Sequence, residues 1–392
     1  MNRVVSFTIA LAPILLLYRS PIPYLDCFSL MIILLWIAHL LSGRQLNLPP
    51  NNYLLPILFF ITIISPICIL GYAGNQMLPT INMAFLRWIK YVILCILVSY
   101  FLIDDFDIEY GLKVMKWFVF CTTFFVLVQR LYFSFGIIIR NPISSFAIND
   151  AYDINSYSME MRNGLFRPSA LFLEPVHLSQ YFIVFIIYSL LSDKRSLINA
   201  FIASIGVFAT GSGMGIIMIL AIFLLSIILS IKHHPVGAIS LLIVFIAICS
   251  YLYTTDYFQM ILYRIIDGSD TGGNAISARS GAGYLFFAAS SIIEKLFGHG
   301  FGNVPIDMYL NGVEYSLISI GIIGVSVLCI SSIRIVFKES YRWQKVVWLF
   351  YIALLFFAQL FSAAMLYYYV FAVKPYSKTD IPFLDNQLHM ND

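Results

Sequence analysis

Apolar residues fall along this chain in long blocks separated by short polar connections. Read with a window of about 19 residues, the blocks lie near 4–18, 24–42, 53–71, 85–103, 114–135, 175–191, 197–210, 213–231, 236–253, 313–333 and 346–373. A helix of about 20 apolar residues crosses a hydrocarbon layer roughly 30 Å thick. The pattern predicts an all-α fold: a polytopic transmembrane helical bundle of about 11–12 spans, forming one integral membrane domain over residues 1–392. The range in the count comes from 346–373, which fits one tilted helix or a tight hairpin. The first block, behind Arg3, imitates a signal peptide, but no A-x-A-type cleavage site follows and further blocks come at once. It is read as the first span.

Topology turns on 197–231. One helix of that length would reach roughly 53 Å, far beyond the hydrocarbon, so the chain must turn back. Gly211-Ser212-Gly213-Met214-Gly215 is where glycine permits it. Counting from that reversal puts Arg3, Arg44, Lys194, Arg195, Lys232, Arg334, Lys338, Arg342 and Lys345 on one side, which positive-inside logic makes cytoplasmic. The acidic connection Asp104, Asp105, Asp107 and Glu109 lies there too, though acidic residues count for little in that rule. Two long connections, 136–170 and 254–312, then share the other side as two large periplasmic loops. The second carries an interfacial helix between Gly281 and Phe297.

Composition agrees with lipid as the solvent. Of 392 residues 60% are hydrophobic and 11% are charged, and the mean hydropathy is +0.88, where a soluble domain carries about a quarter charged residues. A net charge of +3, with no long basic run, excludes nucleic acid as a partner. The cysteines Cys27, Cys68, Cys95, Cys121, Cys249 and Cys329 all lie inside apolar blocks without a CxxC spacing, and read as packing residues.

Candidate chemistry collects in the two loops. The first ends in Phe166-Arg167-Pro168-Ser169-Ala170-Leu171-Phe172-Leu173-Glu174-Pro175. An arginine fork there suits a phosphate group, and a partly desolvated carboxylate can be raised toward a general base's range. The structural alternative is an interfacial arginine paired with a glutamate whose charge favours the helix N-terminus, with Pro175 opening that helix. The second loop holds Arg264, Asp267, Asp270, Ser277-Ala278-Arg279, Glu294-Lys295 and Gly298-His299-Gly300-Phe301-Gly302-Asn303. Its glycines could bring amides to an anionic ligand beside His299 as a proton carrier, or the stretch is a solvated loop with one amphipathic helix.

Other motifs reduce to structure. Gly211-x-Gly213-x-Gly215 has no strand before it and is a turn rather than a dinucleotide loop. Asp105-Phe106-Asp107, formally a DxD, reads as a solvated face. His39 and His233-His234 lack partners at ligand spacing, so no metal site is expected. Tyr367, Tyr368 and Tyr369 read as an interfacial anchor.

From about residue 110 to 335 the layout resembles the bacterial O-antigen polymerases (Wzy type), relatives of the O-antigen ligases. Arg167 to Pro175 resembles the family's R-x-x-x-L-F-x-E-P stretch after the first large periplasmic loop. Thr210-Gly211-Ser212-Gly213 is similar to its T-G-S-R turn. Ser277-Ala278-Arg279 and Leu296-Phe297-Gly298-His299-Gly300 resemble parts of its second loop, and Gly321-Ile322-Ile323-Gly324 matches the glycines of the next span. Gly213 stands where the family often has arginine, so no anionic contact is assigned there. Leu310-Asn311 stands where ligases carry His-Asn, which favours polymerase over ligase.

The resemblance implies a glycosyltransferase of the bacterial inner membrane, working at the periplasmic face. It passes a glycan from one undecaprenyl-diphosphate carrier to the non-reducing end of another lipid-linked repeat unit. It implies Arg167 and Arg279 on the leaving diphosphate, Glu174 as first candidate for the base and His299 as second. Arg162, His177, Arg264, Asn303, Asn311 and Glu314 are the accompanying substrate-binding candidates. It requires no cofactor, metal or nucleotide, because the energy resides in the lipid–diphosphate bond. Expected partners are the lipid-linked donor and acceptor, membrane lipid and a chain-length regulator protein. A flippase or transporter of lipid-linked oligosaccharide is the rival from another class, and predicts charges deep in the spans. Asp and Glu are almost absent from span centres here. A polyprenyl-phosphate-sugar transferase would want an acidic pair in an early outer loop, and 72–84 has no charged residue.

With Ser269 in the second outer loop, a Ser269→Cys variant is expected to react with a membrane-impermeant thiol reagent in intact spheroplasts. Labelling only after lysis would overturn the two-loop topology.

Overall fold

The computed structural model describes residues 1–22, 25–43, 53–72, 77–147, 166–192, 196–231, 281–305, 310–338, 341–356 and 363–374, with isolated positions elsewhere. Among these residues the regular structure is helical, with only two isolated bridges, Tyr18 with Ala147 and Arg19 with Asp26. In chain order the helices are α1 (Asn2–Ala10), α2 (Ala12–Leu15), α3 (Cys27–Leu41), α4 (Leu55–Gly71) and α5 (Ile81–Ile96, prolonged by a π-turn over Leu97–Leu102). Then come α6 (Ile108–Ser134), α7 (Pro175–Leu191), α8 (Leu197–Thr210), α9 (Gly213–Ile231), α10 (Ala282–Ala289), α11 (Ile292–Phe297), α12 (Gly312–Phe337), α13 (Arg342–Leu355) and α14 (Ala363–Val373). Three stretches, Ile81–Leu102, Ile108–Ser134 and Gly312–Phe337, are long and apolar enough to cross a membrane, and α3, α4, α7, α8 and most of α9 are shorter apolar helices. Large apolar side chains stand in the open on their outward faces, Phe59 at 66% and Phe124 at 69% exposure. Such a surface suits an apolar medium. The block at 236–253 lies largely outside the described residues.

Helix α7 is the centre. Most of its side chains are buried, with α6, α8, α9 and α13 packed around it. The expected reversal is present between α8 and α9. Thr210 ends α8 with Gly211 left-handed at φ 64°, a conformation that costs a residue with a Cβ about 1–2 kcal/mol. A Cβ on Gly215, at the start of α9, would strike Ser179 near the start of α7. Ser196 N, just before α8, donates to Ser189 O near the end of α7 (2.9 Å). So α8 runs against α7 and α9 runs with it.

The run 346–373 is two helices. Gln344 Nε2 at the start of α13 donates to Phe371 O (2.9 Å) and Lys374 O (2.6 Å) at the end of α14, so the two form a hairpin. Lys374 Nζ then donates to Ile103 O (2.8 Å) and Asp104 O (2.9 Å). Asp107 N donates to Ser6 Oγ (2.7 Å). The N-terminus, the 103–107 connection and residue 374 therefore share one end of the bundle, the closed end. The opposite, loop end gathers Tyr18, Asn141, the lead-in to α7, the Gly211 turn and the start of α12, where Gly312 abuts Leu355 of α13.

Two expectations are corrected. Tyr367, Tyr368 and Tyr369 are not an exposed anchor: each is 1% exposed. Tyr368 OH donates to Gln180 O (2.6 Å) and Tyr367 OH to Tyr181 O (3.3 Å), tying α14 to α7. The acidic connection is likewise not a solvated face throughout. Asp107 caps α6 through Glu109 N and Tyr110 N, and buried Asp105 meets buried His39 at 3.1 Å. These residues are 66 positions apart, which no local spacing rule registers.

Removing one member of a buried pair leaves the other stranded. His39→Leu is expected to destabilise the purified protein by roughly 3 kcal/mol, and His39→Leu with Asp105→Leu by clearly less. Additive losses in thermal unfolding would mean the two do not interact.

Candidate functional site

Two structured pieces meet the loop end. The first is the lead-in to α7. Arg130 Nη1 at the C-terminal end of α6 donates to Phe166 O (2.7 Å), and Phe133 stacks on Phe166 with centroids 4.3 Å apart. Gln129 Oε1 accepts from Ala170 N (2.9 Å), and its Nε2 donates to Ile139 O (2.9 Å). Tyr18 OH donates to Leu171 O, and Asn141 Nδ2 donates to Tyr18 OH (2.8 Å). Ala170 adopts φ 52°, the one non-glycine with positive φ among the described residues, which implies local strain of about 1–3 kcal/mol that these anchors must offset.

The anchors sort the side chains. Phe166, Pro168, Ser169, Ala170, Phe172 and Pro175 are buried, while Arg167, Glu174 and His177 are half-buried. Glu174 is the N-cap of α7 yet makes no side-chain bond to its first turn, so its carboxylate is not committed to capping. It lies within electrostatic reach of His177. His177 Nδ1 is buried and has no hydrogen-bond partner among the described residues.

The second piece is Gly298–Asn303. Helix α12 is broken at Gly321 (φ 63°, ψ −176°). In a continuous helix Ile318 O and Ser319 O would accept from the amides four residues on. Here His299 N donates to Ile318 O (2.8 Å) and Gly300 N to Ser319 O (3.0 Å) instead. Contact is so close that a Cβ on Gly298 would lie 2.5 Å from Ser319 C, and one on Gly321 would strike Leu296 O. Beyond it, Phe301 N donates to Ser65 Oγ (3.1 Å) beside Pro66, the proline inside α4. The Phe301 ring stacks on Tyr91 of α5 at 4.1 Å.

His299 is buried at the centre of this piece, with Tyr72 and Phe286 against its ring at 5.0 and 5.3 Å. Its Nδ1 faces Ile318 O at 3.2 Å, and since a carbonyl only accepts, Nδ1 carries a hydrogen. Nε2 is then left toward Glu294 Oε1 at 3.4 Å. Burial holds the imidazole pKa below its usual value, against the pull of Ile318 O and Glu294. Burial pushes Glu294 up, but the Ser291 amide and hydroxyl, together with His299, outweigh it and leave the carboxyl below its usual range. A lone pair facing a carboxylate is unfavourable, so this arrangement is strongest when the pair holds one shared proton.

Asn303 Nδ2 donates to His299 O (2.9 Å). Asn311 and Glu314 form a capping box: Glu314 N donates to Asn311 Oδ1 (2.9 Å) and Asn311 N to Glu314 Oε2 (3.1 Å). Glu314 Oε1 also accepts from Gly281 N (3.1 Å), tethering α10 to α12. The structure thus gathers Arg167, Glu174 and His177 on one clamped segment. It engages His299 and Asn303 in holding the second piece, and Asn311 and Glu314 in capping α12 and tethering α10. Arg162, Arg264 and Arg279, with the rest of the Ser277-Ala278-Arg279 patch, lie outside the described residues.

One group escaped the sequence analysis. Arg19, Asp26, Arg87 and Lys90 line a cavity of about 740 Å³ beside α3 and α5. Arg87 and Lys90, one turn apart in an otherwise apolar helix, were the signal. Compared with protein-family models, with curated proteins and with solved structures, the chain finds no match.

Gly298→Ala combines φ 76° with a backbone clash, and is expected to cost roughly 2 kcal/mol or more. Gly43→Ala, at φ 66° with nothing within 4 Å, should cost about 1 kcal/mol. Equal unfolding midpoints for the two variants would mean the 298–303 loop is not seated against α12.

Proposed function

We propose that this chain is a multi-spanning glycosyltransferase of the bacterial inner membrane that polymerises lipid-linked oligosaccharide repeat units, as Wzy-type O-antigen polymerases do. The observation that carries the reading is the clamped lead-in to α7. Six of its residues are buried, while Arg167 and Glu174 are only partly so, and Glu174 stands at the N-terminus of α7. A guanidinium and a helix N-terminus each favour a diphosphate, and a partly buried carboxylate within electrostatic reach of His177 can take a proton.

On this reading the loop end faces the periplasm and the closed end the cytoplasm. The bond between the donor glycan's anomeric carbon and the diphosphate oxygen breaks, and a hydroxyl of the acceptor's non-reducing sugar forms the new glycosidic bond. Arg167, joined by Arg279 from the second loop, stabilises the charge growing on the departing undecaprenyl diphosphate. Glu174 takes the hydroxyl proton. His177 adjoins Glu174, and Arg162 and Arg264 serve the anionic carriers. Burial of His299 favours Glu174 as the base and gives His299, Asn303, Asn311 and Glu314 the task of seating the second loop. A chain-length regulator is the expected protein partner.

One observation favours a second reading, a flippase of lipid-linked sugars: Arg87 and the Lys90–Asp26 pair (3.0 Å) put charge within apolar helices. The pair lies at the N-terminus of α3, while Lys90 itself stands midway along the Ile81–Leu102 stretch.

Arg167→Ala and Arg279→Ala are each expected to abolish long-chain polymer while the protein still inserts. Glu174→Gln should lower the polymerisation rate by about 10²-fold or more. The readout is the chain-length ladder of extracted surface polysaccharide; a normal ladder removes that residue from the mechanism. Deletion leaving glycan one repeat unit long supports polymerase, whereas loss of all surface glycan supports flippase.

A further inference from the structure

We propose that the cavity beside α3 and α5 binds the phosphate head group of a membrane lipid, with the lipid's chains against its apolar wall. This rests on the membrane reading above but not on the polymerase chemistry. The cavity lies beside the N-terminal end of a short helix, α3. Cys27–Leu41 has 15 residues, roughly 22 Å of helix against a hydrocarbon layer of about 30 Å. Its N-cap, Asp26, accepts from Ser29 N (2.6 Å) and meets Lys90 Nζ at 3.0 Å. Lys90 lies roughly 13 Å along α5 from Ile81. The first turns of α5 therefore run on past the point where α3 begins, and the recess between the two helices is walled by Ile22, Ile33, Leu86 and Ile93.

Charge decides the occupant. Arg19, Arg87 and Lys90 line a recess in which Asp26 is the one acidic residue among the described lining residues. Asp26 is already held by Lys90 and Ser29 N. Excess positive charge beside apolar walls, at a helix end, complements a phosphate head group joined to hydrocarbon. A free anion would leave the apolar wall unused, and a head group with its own cation would compete with the arginines. A volume of about 740 Å³ lies in the range of sites for small ligands, about 300–1,000 Å³.

The test uses the full chain purified in a neutral detergent, with the thermal midpoint followed during titration. The probes are phosphatidylglycerol, phosphatidylcholine with the same acyl chains, and inorganic phosphate. Phosphatidylglycerol alone is expected to raise the midpoint saturably. Arg87→Gln should weaken its apparent affinity about tenfold or more, and Ile93→Trp, which fills the recess without altering charge, should do likewise. Asp26→Asn with Lys90→Gln removes the ion pair as a unit and guards against misfolding of a single variant. Arg334→Gln, at the far end of α12, should change nothing. Equal stabilisation by phosphatidylcholine, or by inorganic phosphate, would overturn the proposal. So would wild-type affinity in Arg87→Gln and Ile93→Trp, or equal weakening by Arg334→Gln. Because no glycan is present, a failure here leaves the ladder experiment untouched, and the reverse also holds.

Discussion

An open backbone carbonyl in apolar surroundings costs several kcal/mol, and the break of α12 at Gly321 creates two of them. Ile318 O and Ser319 O are satisfied by the amides of His299 and Gly300, and much of the loop end follows from that exchange. It requires glycine at 298 and 321, where any Cβ would meet backbone. It draws Phe301 in between Tyr91 and Tyr315 and lays the loop on α4 beside Pro66. The Asn311–Glu314 box fixes the start of the same helix. A helix break that looks like a defect is where the second loop is fastened.

The two ends of the bundle use polar groups differently. At the closed end, Lys374, Gln344, His39 and Asp105 are spent on joining helices. Where lipid surrounds helices, burial of apolar faces gives little drive to association, so such polar contacts and close packing carry more of it. At the loop end, Gln129, Arg130, Tyr18 and Asn141 do the joining, and they fix the segment that carries Arg167 and Glu174.

Reading the sequence succeeded where the deciding signal was local. The glycine-marked reversal at 211–215 and the helix opening at Pro175 depend on a few adjacent residues, and both are where expected. It fell short where the deciding partner was remote. Nothing near Tyr367 announces Gln180, nothing near His39 announces Asp105, and nothing near Gln344 announces the end of α14 that it bonds. For the candidate site, Arg167 and Glu174 could be picked from a motif. That His299 is buried under Tyr72 and Phe286 could not, because its partners come from a loop residue after α4 and from α10. Arg87 and Lys90 were visible as charges in an apolar helix, but the recess they line beside α3 was not.

The hydrogen bond from Phe301 N to Ser65 Oγ joins residues 236 positions apart. During synthesis, at about 5–20 residues per second, the Pro66 region of α4 waits on the order of tens of seconds for the segment that covers it. Until then Ser65 and the face of Tyr91 are open to whatever else lies nearby. The loop end is thus completed late, after most of the bundle is in place. A chain truncated before residue 298 would hold its first helices but lack the piece that closes them over, leaving an exposed, unsatisfied surface for quality-control proteases to find.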